Sequence, residues 1–152
     1  MISAVAPSGK RAADNFLKLG IVSAERGDFD EAVGFCNRNL EIVQTIHGDE
    51  HPDVAASLDN LGLVYRKLGD LDKALEYHEK ALAIKIKFKG HEHLDVANSE
   101  YNIALLKLQQ GNASEAAALF QHCAEVYTRV YGPDHSETVD AREQVQKCAA
   151  LL

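Results

Sequence analysis

The feature that most constrains this chain is a repeat with a period of 42 residues. At that offset Gly48, Gly90 and Gly132 align, as do His51, His93 and His135, then Gly27, Gly69 and Gly111, and Ala32, Ala74 and Ala116. The segments that start at Gly48 and Gly90 share eleven of 42 positions. A period of this length means one supersecondary unit stacked on copies of itself, each too small to bury its apolar face alone.

Within a unit the apolar residues recur three and four apart, as in Leu58, Leu61, Gly62 and Tyr65 and then Leu71, Ala74, Leu75, His78, Ala81 and Leu82. That spacing predicts two amphipathic helices per unit. Twenty-one alanines against three prolines and no tryptophan agree with an all-α chain, because alanine loses no side-chain entropy in a helix and proline breaks one. Gly69 suits the left-handed residue that ends a helix, and Asp70 or Asp72 suits the cap of the next; Gly27-Asp28-Phe29-Asp30 and Gly111-Asn112-Ala113-Ser114 repeat that logic. Helices are expected at about 11–26, 29–46, 53–68, 71–88, 95–110, 113–130 and 137–151. The run Ile84-Lys85-Ile86-Lys87-Phe88-Lys89 alternates like a strand, but the repeat register makes it the end of a helix, where lysines meet the helix dipole favourably.

The run Leu61-Gly62-x-x-Tyr65, followed by Gly69, Ala74 and Ala81-Leu82, resembles the tetratricopeptide repeat. The first unit keeps Leu19-Gly20, Gly27 and Ala32; the third has Ile103-Ala104 and Lys107 instead of the leucine–glycine pair and the tyrosine. The long period, with Gly48-x-x-His51-Pro52-x-Val54-Ala55, is similar to the repeat subtype of kinesin light chains. The resemblance implies a right-handed superhelix of three helical hairpins, at about 11–47, 53–89 and 95–131, closed by a C-terminal capping helix at about 137–151. Residues 1–10 are expected as an N-terminal tail and 11–152 as a single domain.

In such an array the first helix of each hairpin lines a concave wall that takes an extended peptide, and the resemblance implies that function lives there. The stripe left over by the core on the second unit's first helix carries Asp59, Asn60, Leu63 and Lys67, and the same register selects Asn98, Tyr101, Asn102 and Leu105. Lys18 stands at the asparagine position of the first unit, next to Ile21. The resemblance implies that Asn60 and Asn102 hydrogen-bond the backbone of a bound peptide, as an amide that donates and accepts at once can do; a tie between neighbouring helices is the equal alternative. Tyr101, Leu63 and Leu105 suit apolar contact, and Lys18, Arg66 or Lys67 suit acidic side chains. The variant of this fold that clamps chaperone tails is disfavoured, since Leu17, Ile21, Asn98 and Asn102 stand where cations are expected.

The functional expectation is therefore a non-catalytic adaptor or scaffold that binds a peptide segment of another protein; the alternative is a structural module or a fragment of a longer array, self-associating through its ends. A formal net charge of −7 argues against nucleic acid and anionic membranes as partners. The absence of a long apolar stretch and of a secretory start points to a cytoplasmic chain. Cys36, Cys123 and Cys148 are odd in number and far apart, so they read as reduced core thiols. His47 and His51, near Asp53, and His91 and His93, near Asp95, imitate metal-ligand spacing. Because His51, His93 and His135 recur at one register, a shared structural role in packing or hydrogen bonding near the next helix start is the better reading, and neither metal nor cofactor is expected. No phosphate-binding or catalytic motif is present.

Overall fold

A computed structural model describes residues 2–152, with side chains from residue 9 on. Among the described residues the chain forms α1 (Ile2–Glu25), α2 (Phe29–His47), α3 (Pro52–Leu68), α4 (Leu71–Lys89), α5 (Leu94–Gln109), α6 (Ala113–Tyr131) and α7 (Ser136–Ala150). Apart from the start of α1, every boundary lies within one residue of its sequence expectation. The helix α1 takes in residues 2–10, expected as a tail. Gly9 lies against Ile46 near the end of α2, 3.4 Å from where a Cβ would stand. The alternating run after Ile84 is helical to Lys89.

The helix ends follow from particular residues. Gly69 closes α3 with a φ of 91°, a conformation open to glycine because it has no Cβ. The Asp70 carboxylate then accepts from the Lys73 amide at 3.1 Å, and Asn112 does the same for Glu115 at 3.3 Å. Asp28, expected to act likewise, makes no side-chain cap bond. Pro52 opens α3 at its first turn, where its missing N–H costs nothing.

By contacts the chain falls into two compact units, one ending at Ile84 and the other beginning at Lys85. In the first, α1 packs on α2 and α2 on α3, around Ala32, Cys36, Val54, Ala55 and Leu61. Asn39 is buried there; its Nδ2 donates to the Ala13 carbonyl at 2.8 Å and its Oδ1 accepts from Ser57 Oγ at 2.7 Å, which ties the three helices together. In the second unit, α5 packs on α6 and α6 on α7, around Ala104, Phe120, Cys123, Val126 and Tyr127.

Small residues set the spacing of the hairpins. A Cβ on Gly20 would stand 2.8 Å from Cys36 Sγ, and one on Gly62 would stand 2.6 Å from His78 Nε2. The third member of this series puts Ala104 and the fully buried Phe120 in one cluster. Cys36, His78 and Phe120 are thus successive occupants of one register position, each facing a glycine or alanine.

Candidate functional site

In the first unit, α1 and α3 border a cleft whose far stretch is lined by Leu17, Ile21, Asn60, Leu63 and Lys67. Four of the residues expected to bind a peptide, Ile21, Asn60, Leu63 and Lys67, therefore converge. Ile21 and Leu63 are large apolar side chains left 48% and 42% exposed, while Asn60 is half-buried between the helices and Lys18 is exposed on α1. The near stretch of the cleft has a volume of about 700 Å³ and includes Asp14, Leu17, Val43, Ala56 and Asn60 in its walls. That volume lies within the range of small-molecule and anchor-residue sites.

Asp59 belongs to the same stripe but faces another way. Its Oδ1 accepts from Nδ1 of His78 on α4 at 2.9 Å. His78 is buried, and its Nε2, pressed against Gly62, finds no hydrogen-bond partner among the described residues.

In the second unit the expected residues share the face of α5, and two of them hold neighbouring helices. The Tyr101 hydroxyl donates to Asp140 on α7, and its ring meets Phe120 edge-on with centroids 5.2 Å apart. Burial first, and then the bond to Asp140, push the phenol up from its ordinary range. Asn98, exposed, accepts from the hydroxyl of buried Tyr127 at 2.8 Å. Asn102 and Leu105 are half-buried on the same helix.

A polar cluster in this unit has no counterpart in the sequence expectations. Glu100, buried on α5, holds Nδ1 of His122 at 2.7 Å. The other ring nitrogen lies 3.3 Å from Glu92, and Glu92 also accepts from Arg129 at 2.9 Å. Burial pulls the His122 pKa down, but the hydrogen bonds to Glu100 and Glu92 outweigh it and the net direction is up. One signal was available: Glu100 stands 42 positions after Leu58, a charge at an apolar register position.

The histidines at the helix starts share one role. Nδ1 of His51, His93 and His135 accepts from the amides of Asp53, Asp95 and Glu137 at 3.0, 3.0 and 3.2 Å. His47, His51 and Asp53 do gather, with ligand atoms within 4.8 Å of one another. The two rings are stacked, 4.0 Å between centroids and 10° from parallel, so their lone pairs run alongside each other rather than to a common point. Nδ1 of His51 is already occupied by the cap, and His47 Nε2 lies 3.1 Å from Asp53. The arrangement fits a helix cap braced by a polar contact from His47 better than a metal centre. At the equivalent place in the next repeat, Lys89 pairs with Asp95.

The cysteines are buried and free. Burial raises all three thiols above their ordinary value, which keeps them protonated and poorly nucleophilic. Among the described residues no helix is long and apolar enough to cross a membrane.

Paired helices in a 42-residue register, with small residues at each close approach, define an α-helical repeat protein of the kind that recognises other proteins. The tetratricopeptide repeat family matches residues 11–87 and 89–145, and the chain belongs to that family. The fold is similar to that of nearly identical TPR-like repeats from a Podosopora anserina protein assigned as a kinesin light chain, with a TM-score of 0.79 at 21% identity over 91% of this chain and 65% of that one. This chain thus spans about 65% of the length of that relative. BtubC (BKLC) from P. vanneervenii is similar with a TM-score of 0.74, at 18% identity over 99% of this chain and 72% of that one. PcrH, solved in complex with the chaperone binding region of PopD, is similar with a TM-score of 0.67, at 15% identity over 93% of each chain. No curated protein sequence matches the chain significantly.

Proposed function

We propose that this chain is a non-catalytic interaction module that binds an extended segment of a partner protein in the cleft between α1 and α3, the first helices of its first two hairpins. The observation that carries this reading is the open cleft between α1 and α3, where Ile21 and Leu63 stay exposed beside Asn60 and Lys67. Exposed apolar side chains flanking an amide and a cation offer a peptide the three things it needs: side-chain burial, a backbone partner and a charge for its acidic residues. Asn102 and Leu105 offer an amide and an apolar side chain, both half-buried, on α5. The solved complex of PcrH with a segment of PopD supports the reading at the level of the fold. An adaptor or scaffold role in the cytoplasm follows as the working setting, with protein rather than nucleic acid or membrane as the partner.

The test is capture of partners from cytosol by the wild-type chain and by an Asn60→Ala/Leu63→Ala/Asn102→Ala variant of equal helicity. Specific proteins lost with the variant support the groove; identical sets overturn it. Self-association is the second reading, motivated by Leu151 and Leu152, which are 67% and 78% exposed. It requires a mass in light scattering that rises with concentration and falls on Leu151→Ser/Leu152→Ser.

A further inference from the structure

Two repeats of 42 residues separate α1–α2–α3 from α5–α6–α7, so each residue of the first set has a counterpart 84 positions on. The near stretch of the cleft in the first set is walled by Asp14, Leu17, Val43, Ala56 and Asn60. Their counterparts are Asn98, Tyr101, Tyr127, Asp140 and Gln144. In the second set the two tyrosines occupy this place. Tyr127 is buried to 2% exposure with its hydroxyl on Asn98 at 2.8 Å, and Tyr101 donates to Asp140. In the first set Val43 and Leu17 are shorter, no phenol is supplied, and about 700 Å³ stays open.

We propose that this cleft receives a tyrosine side chain from the partner segment, which replaces the ring that the second set carries in its own sequence. The proposal rests on the groove reading above and names its anchor residue. The ring packs on Leu17 and Val43, the positions of Tyr101 and Tyr127. Its hydroxyl donates to the Asp14 carboxylate, which stands where Asn98 accepts from Tyr127, and Asn60 stands where Gln144 approaches the Tyr101 hydroxyl. Lys10 and His47 line the cleft together with Asp14 and Asp53, and Asp53 is engaged by His47 at 3.1 Å, so Asp14 is the carboxylate matched to a neutral hydrogen-bond donor. Phenylalanine fills the volume but leaves the carboxylate without the donor.

The experiment titrates p-cresol, the side-chain analogue of tyrosine, and toluene, that of phenylalanine, into the isotope-labelled full chain and follows amide shifts. The expected result is saturable movement of Ala13, Val43 and Ser57, with p-cresol binding about tenfold tighter than toluene, the factor that a hydrogen bond to a charged acceptor supplies. Val43→Tyr, which installs the residue of the second set, removes the response to both probes. Asp14→Ala lowers p-cresol to the level of toluene, and this variant decides the matter where Val43→Tyr alters the fold. Equal affinity for the two probes in the wild type, shifts elsewhere, or a p-cresol response unchanged by Asp14→Ala overturns the proposal. Partner capture separates this from the groove itself: capture lost with Asn60→Ala/Leu63→Ala/Asn102→Ala but kept with Val43→Tyr overturns the tyrosine anchor alone, whereas capture unaffected by the triple variant overturns the groove.

Discussion

The carboxylate of Asp59 accepts from Nδ1 of His78 at 2.9 Å, at the two register positions where the next repeat sets Tyr101 against Phe120 at 5.2 Å. One repeat joins its helices by a polar pair and the next by an aromatic pair, in the same place. Each solution is self-consistent, and a mixture is not. Asp59→Ala leaves a buried imidazole with neither nitrogen bonded, and should destabilise the protein by about 1–3 kcal/mol. His78→Phe takes the imidazole donor away from the half-buried Asp59 carboxylate and should also lower stability. The double variant Asp59→Tyr/His78→Phe rebuilds the aromatic pair and should recover at least half of the loss. A double-mutant cycle by urea denaturation reads the coupling, and additive losses contradict it.

Gly62 controls how closely α3 and α4 approach. A methyl group there would stand 2.6–2.8 Å from three atoms of the His78 ring, and that ring is 1% exposed and held by Asp59. Alanine gains roughly 0.5–1 kcal/mol in a helix interior over glycine, but forcing a buried ring aside costs about 1–3 kcal/mol. Gly62→Ala should therefore lower stability on balance, whereas Gly34→Ala, with nothing within 4 Å of the new carbon, should raise it. Thermal denaturation of the two variants side by side checks the opposite signs.

The pH dependence of the second unit follows from His122. Its pKa is raised in the folded chain, against burial, by its bonds to Glu100 and Glu92. A base whose folded pKa exceeds its unfolded one contributes stability that is fully present below the unfolded value, about 6.5 for histidine, and lost as pH rises through the folded value. The amides of α5 and α6 should exchange faster as pH climbs from about 6.5, beyond the intrinsic acceleration, and His122→Gln should remove the excess. An unchanged excess in the variant rejects the assignment.

Local physics made most of the architecture readable. Gly69, Pro52 and the histidines before α3, α5 and α7 punctuate the chain by their own backbone and side-chain chemistry, so the helix ends could be placed from neighbours a few residues away. The start of α1 could not, because Gly9 rests on Ile46, far off in sequence. The placement of part of the stripe was legible to the same depth. Periodicity put Asp59, Asn60 and Leu63 on one stripe, and Ile21, Asn60, Leu63 and Lys67 do meet at one cleft. It could not tell that Asp59 is bound to His78 or that Tyr101 is bound to Asp140, 39 residues on, since those bonds depend on how helices pack. Glu100 was visible as an anomaly in the repeat, but its partner His122 is on another helix and lies 22 residues away.

The repeated histidines offer a final prediction, because the same bond occurs in three places. Nδ1 of His93 accepts from the Asp95 amide at 3.0 Å and thereby satisfies a donor left open at the start of α5. His93→Ala removes that acceptor and should cost about 0.5–2 kcal/mol, the range of a lost N-cap. His93→Asn brings an oxygen within reach of the same amide and should retain most of the stability, although it has no imidazole. A metal-ligand or recognition role for these rings would make asparagine as damaging as alanine. Urea denaturation of His93→Ala and His93→Asn, with the same pair at His135, distinguishes the two: asparagine close to wild type at both sites supports capping, and equal losses reject it.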